Sequence, residues 1–586
     1  MMLSEFGNKQ EMEKTMTIQN LIDNLNDQNI KTWFDLVQFL RKLNKKTINE
    51  KFEGDFGNFK KHIDSGGIAF VTFSYGVDGV TIEICKYIKT LQTIFNNIAI
   101  HIIGSEFSET CDQEIKEKHK SLIVPEIAGF AKWDLFQYFF KTKIEKDGKI
   151  YKELLTKFWK EILIITEKIG SYLIKNNISL LFLVNTNSNP GNVSLALSLV
   201  ILSEYLHLPV ISNNHDFYWE GGSSNNKSHK HGPRDHYFTN DDLEEIFTII
   251  KMIYPWKSKN WFLLNINHEQ SRILIDKFHF NPKQVGEIGT AIETDKFKPL
   301  KSMKRKKEIL KQISDILSNY EKKLKSISIQ KILTTKKLIE NPHPFITGYS
   351  DCCIDDITEK DIIFLQATRL IERKKIEVIF TLMIKIFEYL DKHNILENKQ
   401  INNFYIIITG PILTGHEKYF YSILEHFQQM FEKIKPIYKE HIFLGFLFSE
   451  FNKSSFTKKY KNPLSIYDIF RISSLVTLPS ETEGRGLPII EAAACEVPIF
   501  TRRYFPEQVY AHLIGEHLPE KYLLNVVEFV DTIDNNVADK LVEYLFSNEN
   551  DLLKHNRWII RKRYGFKLLK IEFERILYKL YLQLSS

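Results

Sequence analysis

One stretch of sequence decides most of the fold: Leu478-Pro-Ser-Glu-Thr-Glu483-Gly-Arg-Gly486-Leu-Pro-Ile-Ile-Glu491-Ala492. Its pattern is that of an apolar strand end, a polar loop with two glycines, and a helix with proline in the first turn. Backbone amides at a helix N-terminus favour a bound anion such as a diphosphate. Glu483 falls in the loop and Glu491 on the helix, so the two carboxylates can contact different parts of one extended ligand. The same spacing also fits a capped helix with two surface glutamates.

Strand and helix patterns alternate on both sides of this stretch. Continuous apolar runs, which are typical of parallel strands covered on both faces, occur at 68–73, 98–103, 180–184, 209–212, 362–365, 404–408 and 475–478. Helical patterns separate most of these runs, and a Lys-rich segment at 301–340 interrupts the alternation without a strand pattern. The sequence therefore predicts an α/β fold of two doubly wound, Rossmann-like domains that face a cleft.

The opening stretch resembles the E-x7-E motif of glycosyltransferase family 4, the retaining enzymes of GT-B fold. The shared pattern is Ser-x-x-Glu-Gly-x-Gly-Leu-Pro, followed by the trailing Glu-Ala. The resemblance implies that Glu483 lies beside the donor hexose and that Glu491 binds the nucleotide ribose. It also implies that the donor-binding loop comprises Gly484, Arg485, Gly486 and Leu487.

A second segment, 364–375, has the pattern of a strand that runs into a basic turn. Arginine offers a planar fork to phosphate oxygens and lysine a compact charge, so Arg369 and Lys374 suit a leaving diphosphate. A solvated basic loop would give the same composition. The segment resembles the Gly-Arg-Leu-x-x-x-Lys-Gly element of the family, which implies catalytic and donor-binding roles for both residues. It departs from that element where Ala367-Thr368 precedes the arginine and where Lys375 replaces glycine.

Weaker candidates follow strands of the first predicted domain. His215 comes directly after the run that ends at residue 212, and the resemblance implies that it reaches the donor sugar and the reacting centre. Asp216 and Glu220, which follow it, are acceptor-side candidates, although Asp216 could simply orient the histidine. A lone histidine is more often structural than functional.

The glycine turn after the first strand is a further candidate. Gly79 resembles a donor-contacting glycine of the family, and Gly76 and Asp78 are acceptor-side candidates, but two glycines in a turn are often structural. Arg234 lies in a segment with no periodicity and is also placed on the acceptor side. The spacing of histidines 229, 231 and 236 matches no ligand set, so no metal site is predicted.

The resemblance extends over roughly residues 65–530 and does not explain the segments 1–64 and 301–345. We expect a helical N-terminal extension at 1–64 and an acceptor-side domain at 65–345, with a Lys-rich helical insertion at 301–345. A nucleotide-sugar-binding domain would follow at 346–545. The helical tail at 546–586 would cross back to the first domain.

Composition excludes several classes of protein. The 79 Lys+Arg against 73 Asp+Glu give a net charge of +6, too small to indicate nucleic-acid binding by bulk charge. Five cysteines without a C-x-x-C spacing argue against a disulfide framework and a zinc ribbon. Neither a signal peptide nor a membrane span is predicted, so we expect a cytoplasmic protein with at most peripheral membrane contact.

We therefore expect a retaining hexosyltransferase that takes a nucleotide-diphosphate sugar, of the GDP-mannose or UDP-glucose type, and a hydroxyl acceptor. The acceptor could be a small molecule, a glycan or a glycolipid. No cofactor beyond the nucleotide sugar and no metal are expected. The alternatives are a non-catalytic module that binds a glycan or a protein, and a sugar-nucleotide epimerase.

Overall fold

The computed structural model describes residues 17–45, 51–76, 78–108, 111, 113–220, 240, 242–335, 342–393, 403–412, 416–546 and 551–586. The chain divides into two compact units. The first comprises Met1–Thr290 with Leu569–Ser586, and the second comprises Ala291–Leu568.

The described residues of the first unit form a sheet of seven parallel strands in the order β3-β2-β1-β4-β5-β6-β7. These strands are β1 (Ile68–Val71), β2 (Ile100–Gly104), β3 (Lys120–Ile123), β4 (Leu180–Val184), β5 (Val210–Asn214), β6 (Trp261–Asn265) and β7 (Val285–Glu287). The helices that accompany them are Ile18–Asn26, Trp33–Lys45, Phe56–Gly66, Gly79–Ile94, Gln113–Lys118, Phe136–Phe140, Lys149–Lys175, Val193–Tyr205, Glu244–Ile253, His268–Asp276 and the first-unit part of Phe566–Ser585.

The central strands are buried on both faces, which explains why their sequences are continuous apolar runs. Every residue of β1, β2, β4, β5 and β6 is buried. The described part of the predicted N-terminal extension also belongs to this core, since Leu21, Leu25 and Leu36 are fully buried. The indole of Trp33 donates to the Tyr151 carbonyl at 3.1 Å, so these helices are an integral layer of the unit.

The described residues of the second unit form a sheet of nine strands in the order β10-β8-β9-β13-β12-β11-β14-β15-β16. The strands are β8 (Leu324–Ser328), β9 (Phe345–Gly348), β10 (Cys352–Ile354), β11 (Ile362–Gln366), β12 (Phe404–Ile408), β13 (Ile442–Phe446), β14 (Leu475–Leu478), β15 (Ile499–Arg502) and β16 (Val527–Phe529). The helices are Met303–Leu317, Ile329–Thr335, Val378–Lys392, Glu417–Lys433, Pro436–Lys439, Ser454–Thr457, Ile466–Ile472, Leu487–Ala494, Glu507–Ile514, Asn535–Phe546 and Asp551–Arg563.

The two sheets share one topology. In the second sheet, the neighbouring strands β13-β12-β11-β14-β15-β16 are all parallel. Numbered along the chain with β11 as the first, they lie in the spatial order 3-2-1-4-5-6. The strands β3-β2-β1-β4-β5-β6 of the first sheet have the same order. This is the doubly wound order of dinucleotide-binding sheets. The predicted fold class of two Rossmann-like α/β domains is thus confirmed.

The Lys-rich segment lies in the second unit, not in the first domain where the sequence analysis put it. Its helix Met303–Leu317 buries Ile309 and Ile313 in the second core, and Arg305 donates to the buried carboxylate of Asp468 at 2.9 Å. Strand β8 lies between β9 and β10 near the sheet edge and alternates buried with more exposed residues. A search for continuous apolar runs therefore misses this strand.

The C-terminal helices divide between the two units. Helix Asp551–Arg563 buries Ile559 and Ile560 in the second unit, whereas the chain joins the first unit from Leu569 onward. There Glu572 accepts from the Gly289 amide at 2.9 Å, and the Gln583 amide donates to the Trp261 carbonyl at 3.0 Å. None of the helices in the described part of the chain is long and apolar enough to cross a bilayer.

Candidate functional site

Each sheet has a point where the strand order reverses, and ligands of doubly wound folds bind outside the carboxyl ends of the strands at such a point. In the second sheet this point lies between β11 and β14, which pair in parallel. The loops that follow these two strands are 367–377 and 479–486. They contain the two segments that the sequence analysis singled out as donor-binding.

The two loops meet at a buried ion pair. The Lys374 ammonium donates to Oε1 of Glu483, and each side chain is only 10% exposed. Backbone contacts fix the loops around this pair, because the Glu481 amide donates to the Arg373 carbonyl at 2.9 Å. The Arg373 guanidinium in turn donates to the Thr482 carbonyl at 2.6 Å. The lysine and glutamate that the sequence assigned to different parts of a donor are therefore bonded to each other.

The charges around the pair keep Glu483 ionised. Burial by itself would raise the pKa of this carboxyl, but the Lys374 ammonium and the Arg373 guanidinium outweigh it and hold the pKa below its usual value. Arg373 lies 3.9 Å from the second carboxylate oxygen. No role for Arg373 is predicted from the sequence, although its place beside Lys374 in a basic turn was a usable signal.

Gly486 forms the N-cap of helix Leu487–Ala494 with φ +62° and ψ +39°, a left-handed conformation that favours glycine. A Cβ at this position would lie 2.5 Å from the Tyr504 hydroxyl. That hydroxyl is buried and has no hydrogen-bond partner among the described residues. In the same loop Gly484 is exposed and Arg485 is partly buried, while Glu491 lies on the helix.

The departures from the family element in loop 367–377 have structural counterparts. The chain after β12 has glycine at Gly410, where a Cβ would lie 2.2 Å from the Thr368 backbone carbonyl, so this glycine lets the backbones of the two loops approach closely. Lys375 has φ +47° and ψ +46°, the left-handed conformation that glycine adopts without strain. Arg369 is exposed, yet its charge is near enough to act on Lys374.

In the first unit, His215, Asp216 and Glu220 lie in one turn after β5. The Asn185 side-chain oxygen accepts from the His215 and Asp216 amides at 3.3 and 3.0 Å. The Gln270 amide donates to the Glu220 carboxylate at 2.8 Å and to the His215 carbonyl at 3.1 Å. The structure thus brings the three predicted residues together through two amide side chains that the sequence analysis did not identify.

The glycine turn after β1 caps a helix. The Asp78 carboxylate accepts from the Val80 and Thr81 amides at 2.8 and 3.0 Å, as the N-cap of Gly79–Ile94. A Cβ at Gly79 would meet nothing within 4 Å, whereas at Gly76 it would lie 3.1 Å from the Ser108 hydroxyl.

Two sequence-based assignments fall outside the residues that the structure describes, namely Arg234 and the histidines at 229, 231 and 236. Within the described residues, no three His, Cys, Asp or Glu side chains are grouped as a metal site.

Residues 354–540 match the family model "Glycosyl transferases group 1". Both loops of the Lys374–Glu483 pair lie inside this match, which supports the predicted resemblance to glycosyltransferases. A mannosylglucosylglycerate synthase from Petrotoga mobilis is 26% identical over 155 residues. The aligned region covers 25% of this chain and only 33% of that relative.

Solved structures with a similar chain path include two other proteins. Sucrose-phosphate synthase from Thermosynechococcus elongatus has a TM-score of 0.49 at 11% identity, over 88% of this chain and 99% of that one. A glycosyltransferase from Rickettsia africae has a TM-score of 0.46 at 13% identity, over 88% of this chain and 98% of that one.

Proposed function

We propose that the chain is a retaining glycosyltransferase of the family 4 type. It would transfer a hexose from a nucleotide-diphosphate sugar to a hydroxyl acceptor without a metal. The observation that carries the proposal is the buried Lys374–Glu483 pair at the strand-order reversal of the second sheet, inside the group 1 match. We assign the donor to the second unit and the acceptor to the first.

The reaction determines which charges need stabilising. Breaking the bond between the anomeric carbon and the phosphate oxygen leaves positive charge on the sugar and negative charge on the diphosphate. Lys374, Arg369 and the newly identified Arg373 offer cations for the diphosphate, and the amides around Gly486 offer hydrogen bonds. Such preorganised charges stabilise an anion without a metal. The acceptor oxygen would attack on the face that the diphosphate leaves, and its proton would pass to a diphosphate oxygen.

Glu483 suits a positioning role rather than that of a covalent nucleophile. Its carboxylate is held ionised by Lys374 and Arg373, and an ionised carboxylate accepts hydrogen bonds from sugar hydroxyls strongly. Glu491, four residues after the start of the helix Leu487–Ala494, is assigned to the nucleotide ribose. In the first unit, His215 is the residue whose removal we expect to lower turnover.

The identity of the sugar is the finer part of the proposal. The Petrotoga relative is named a mannosylglucosylglycerate synthase, which makes GDP-mannose the first donor to test and a sugar-bearing small molecule the first acceptor. UDP-glucose is the second donor.

Calorimetric binding of UDP, GDP and ADP to the full chain, with and without EDTA, tests the donor site. We expect one nucleotide to bind with micromolar affinity and EDTA to leave that affinity unchanged. Lys374→Met should weaken binding by tenfold or more. Lys325→Met is the matched control, because Lys325 forms an exposed pair with Glu321 at 2.6 Å in the same unit.

Release of nucleotide from the matching sugar donor then tests catalysis. Release that depends on an added hydroxyl acceptor supports a transferase. Loss of binding in EDTA would contradict metal independence. Nucleotide release without an acceptor would favour a hydrolase, and conversion of the donor to an epimer without net nucleotide release would favour an epimerase. Failure of all three nucleotides to bind would favour a non-catalytic module.

A further inference from the structure

A buried amide determines which nitrogen of His215 carries a proton. The ring Nε2 lies 2.8 Å from Oδ1 of Asn213, the residue two positions earlier on β5. Asn213 is fully buried, and its Nδ2 donates to the Leu264 carbonyl on the neighbouring strand β6 at 3.1 Å. One side chain therefore connects the ring to the sheet.

The two contacts of Asn213 allow one orientation of its amide. A carbonyl oxygen only accepts hydrogen bonds, so Nδ2 must face Leu264 and Oδ1 must face the ring. The reversed amide would set the Asn213 side-chain oxygen against the Leu264 carbonyl oxygen and leave that buried side-chain oxygen without a donor. Because Oδ1 only accepts, the ring nitrogen that faces it must be the donor.

We propose that Asn213 is a positioning residue that holds His215 as the Nε2–H tautomer, which makes Nδ1 the accepting nitrogen of the ring. In a neutral imidazole one nitrogen donates and the other accepts. The tautomer follows from contacts within the first unit alone, whereas its consequence for catalysis rests on the proposed function.

The backbone on both sides of the ring is fixed as well. Asn185 accepts from the His215 amide at 3.3 Å, and Gln270 donates to the His215 carbonyl at 3.1 Å. Asn185 and Gln270 are themselves 7% and 1% exposed. The accepting nitrogen is therefore presented from a turn whose peptide groups are already bonded.

The tautomer can be measured without any substrate. The full chain is prepared with ring-¹⁵N histidine and studied in alkaline buffer, where imidazole is neutral. The His215 signals are assigned by their loss in His215→Gln. We expect a protonated nitrogen at Nε2 and an unprotonated one at Nδ1, and a shift toward tautomer-averaged values in Asn213→Ala. A proton on Nδ1 in the wild type, or an unchanged spectrum in Asn213→Ala, would overturn the proposal.

Asn214→Ala is the matched control. Asn214 is equally buried, donates to Asn265 at 2.9 Å and accepts from Ser212 at 3.0 Å, with no contact to the ring in these bonds. The Asn214→Ala variant loses a comparable buried amide and should leave the His215 tautomer unchanged. If Asn213→Ala does not fold, Asn213→Asp serves instead, because its carboxylate still accepts from Nε2 and should preserve the tautomer. A changed tautomer in that variant would count against the proposal.

Activity distinguishes the two nitrogens. An asparagine at 215 places its amide oxygen near the position of Nδ1, whereas a glutamine places its amide near Nε2. We expect His215→Asn to retain at least tenfold more transferase activity than His215→Gln, and the reverse order would refute the role of Nδ1. If the wild type transfers no sugar to any acceptor, the proposed function fails while the NMR result still decides the tautomer.

Discussion

The buried pair of Lys374 and Glu483 makes a quantitative prediction about stability. Each side chain is 10% exposed, so Lys374→Met leaves a carboxylate buried without its counter-ion. Breaking a buried ion pair by removing one partner costs about 3–5 kcal/mol. Arg373 at 3.9 Å compensates only in part. At about 2 °C per kcal/mol for a domain of this size, the unfolding transition of the second unit should fall by roughly 6–10 °C.

The pH dependence of the loss has a definite sign. In the wild type the pKa of Glu483 lies below its ordinary value, so its stabilising contribution is present above the unfolded pKa and is lost as pH falls through the folded pKa. In Lys374→Met, burial without the ammonium raises the folded pKa instead. Stability is then lost as pH rises through that raised pKa, so the variant is most destabilised near neutral pH and recovers toward pH 5.

Scanning calorimetry of three variants at both pH values measures these effects. Replacing both partners with apolar side chains removes the unpaired charge, so Lys374→Met with Glu483→Leu should lie within about 1 kcal/mol of the wild type or above it. The exposed control Lys325→Met should change the free energy of unfolding by less than about 1 kcal/mol. Equal transitions for Lys374→Met and Lys325→Met, or a double variant less stable than Lys374→Met, would refute the argument.

Three further positions give independent tests. Gly486→Ala should destabilise the second unit by roughly 2–4 kcal/mol, because it adds left-handed backbone strain and a contact with the Tyr504 hydroxyl. Adding Tyr504→Phe should recover part of this loss, measured by urea unfolding. No recovery would rule out that contact. Lys375→Gly should raise the free energy of unfolding by roughly 0.5–1 kcal/mol, because strain relief exceeds the entropy cost of glycine, and a decrease would contradict this. Burial and the charge of Lys120 lower the pKa of His101 to about 4. As the pH falls from 6.5 to 4, only the unfolded state is protonated, so the free energy of unfolding of the first unit should fall by up to about 3 kcal/mol. His101→Gln should flatten this pH profile, and an unchanged profile would exclude His101 as its cause.

The fold could be predicted largely from the sequence because its central strands are covered on both faces. Continuous apolar runs reveal such strands, and β1, β4, β11 and β14 were all found in this way. The boundary between the units was missed because β8 lies near a sheet edge and has no such run. Local composition does not show which sheet a strand such as β8 joins.

The candidate site was predicted in part. Motif resemblance located Lys374 and Glu483, but only the three-dimensional structure shows that they are paired with each other. The segment 185–192, Asn-Thr-Asn-Ser-Asn-Pro-Gly-Asn, has the composition of an exposed loop, yet its residues are buried. Amide side chains such as Asn185 can be buried there because they bond neighbouring peptide groups, and that pairing is not visible in a single sequence.

The ion pair also constrains which ligand can bind well. A bare nucleotide diphosphate can replace Glu483 as the partner of Lys374, but it takes from the carboxylate its hydrogen bond with the ammonium and leaves Arg373 at 3.9 Å as the nearby cation. A nucleotide sugar can satisfy both, with its phosphates on Lys374 and its hydroxyls on Glu483. Hydrogen bonds to charged groups contribute about 1.5–3 kcal/mol, so the nucleotide sugar should bind at least about tenfold more tightly than the matching nucleotide. In Glu483→Gln, which has no charge to satisfy, this preference should shrink. Calorimetry without acceptor measures both affinities, and equal binding of the two ligands by the wild type would show that Glu483 does not contact the sugar.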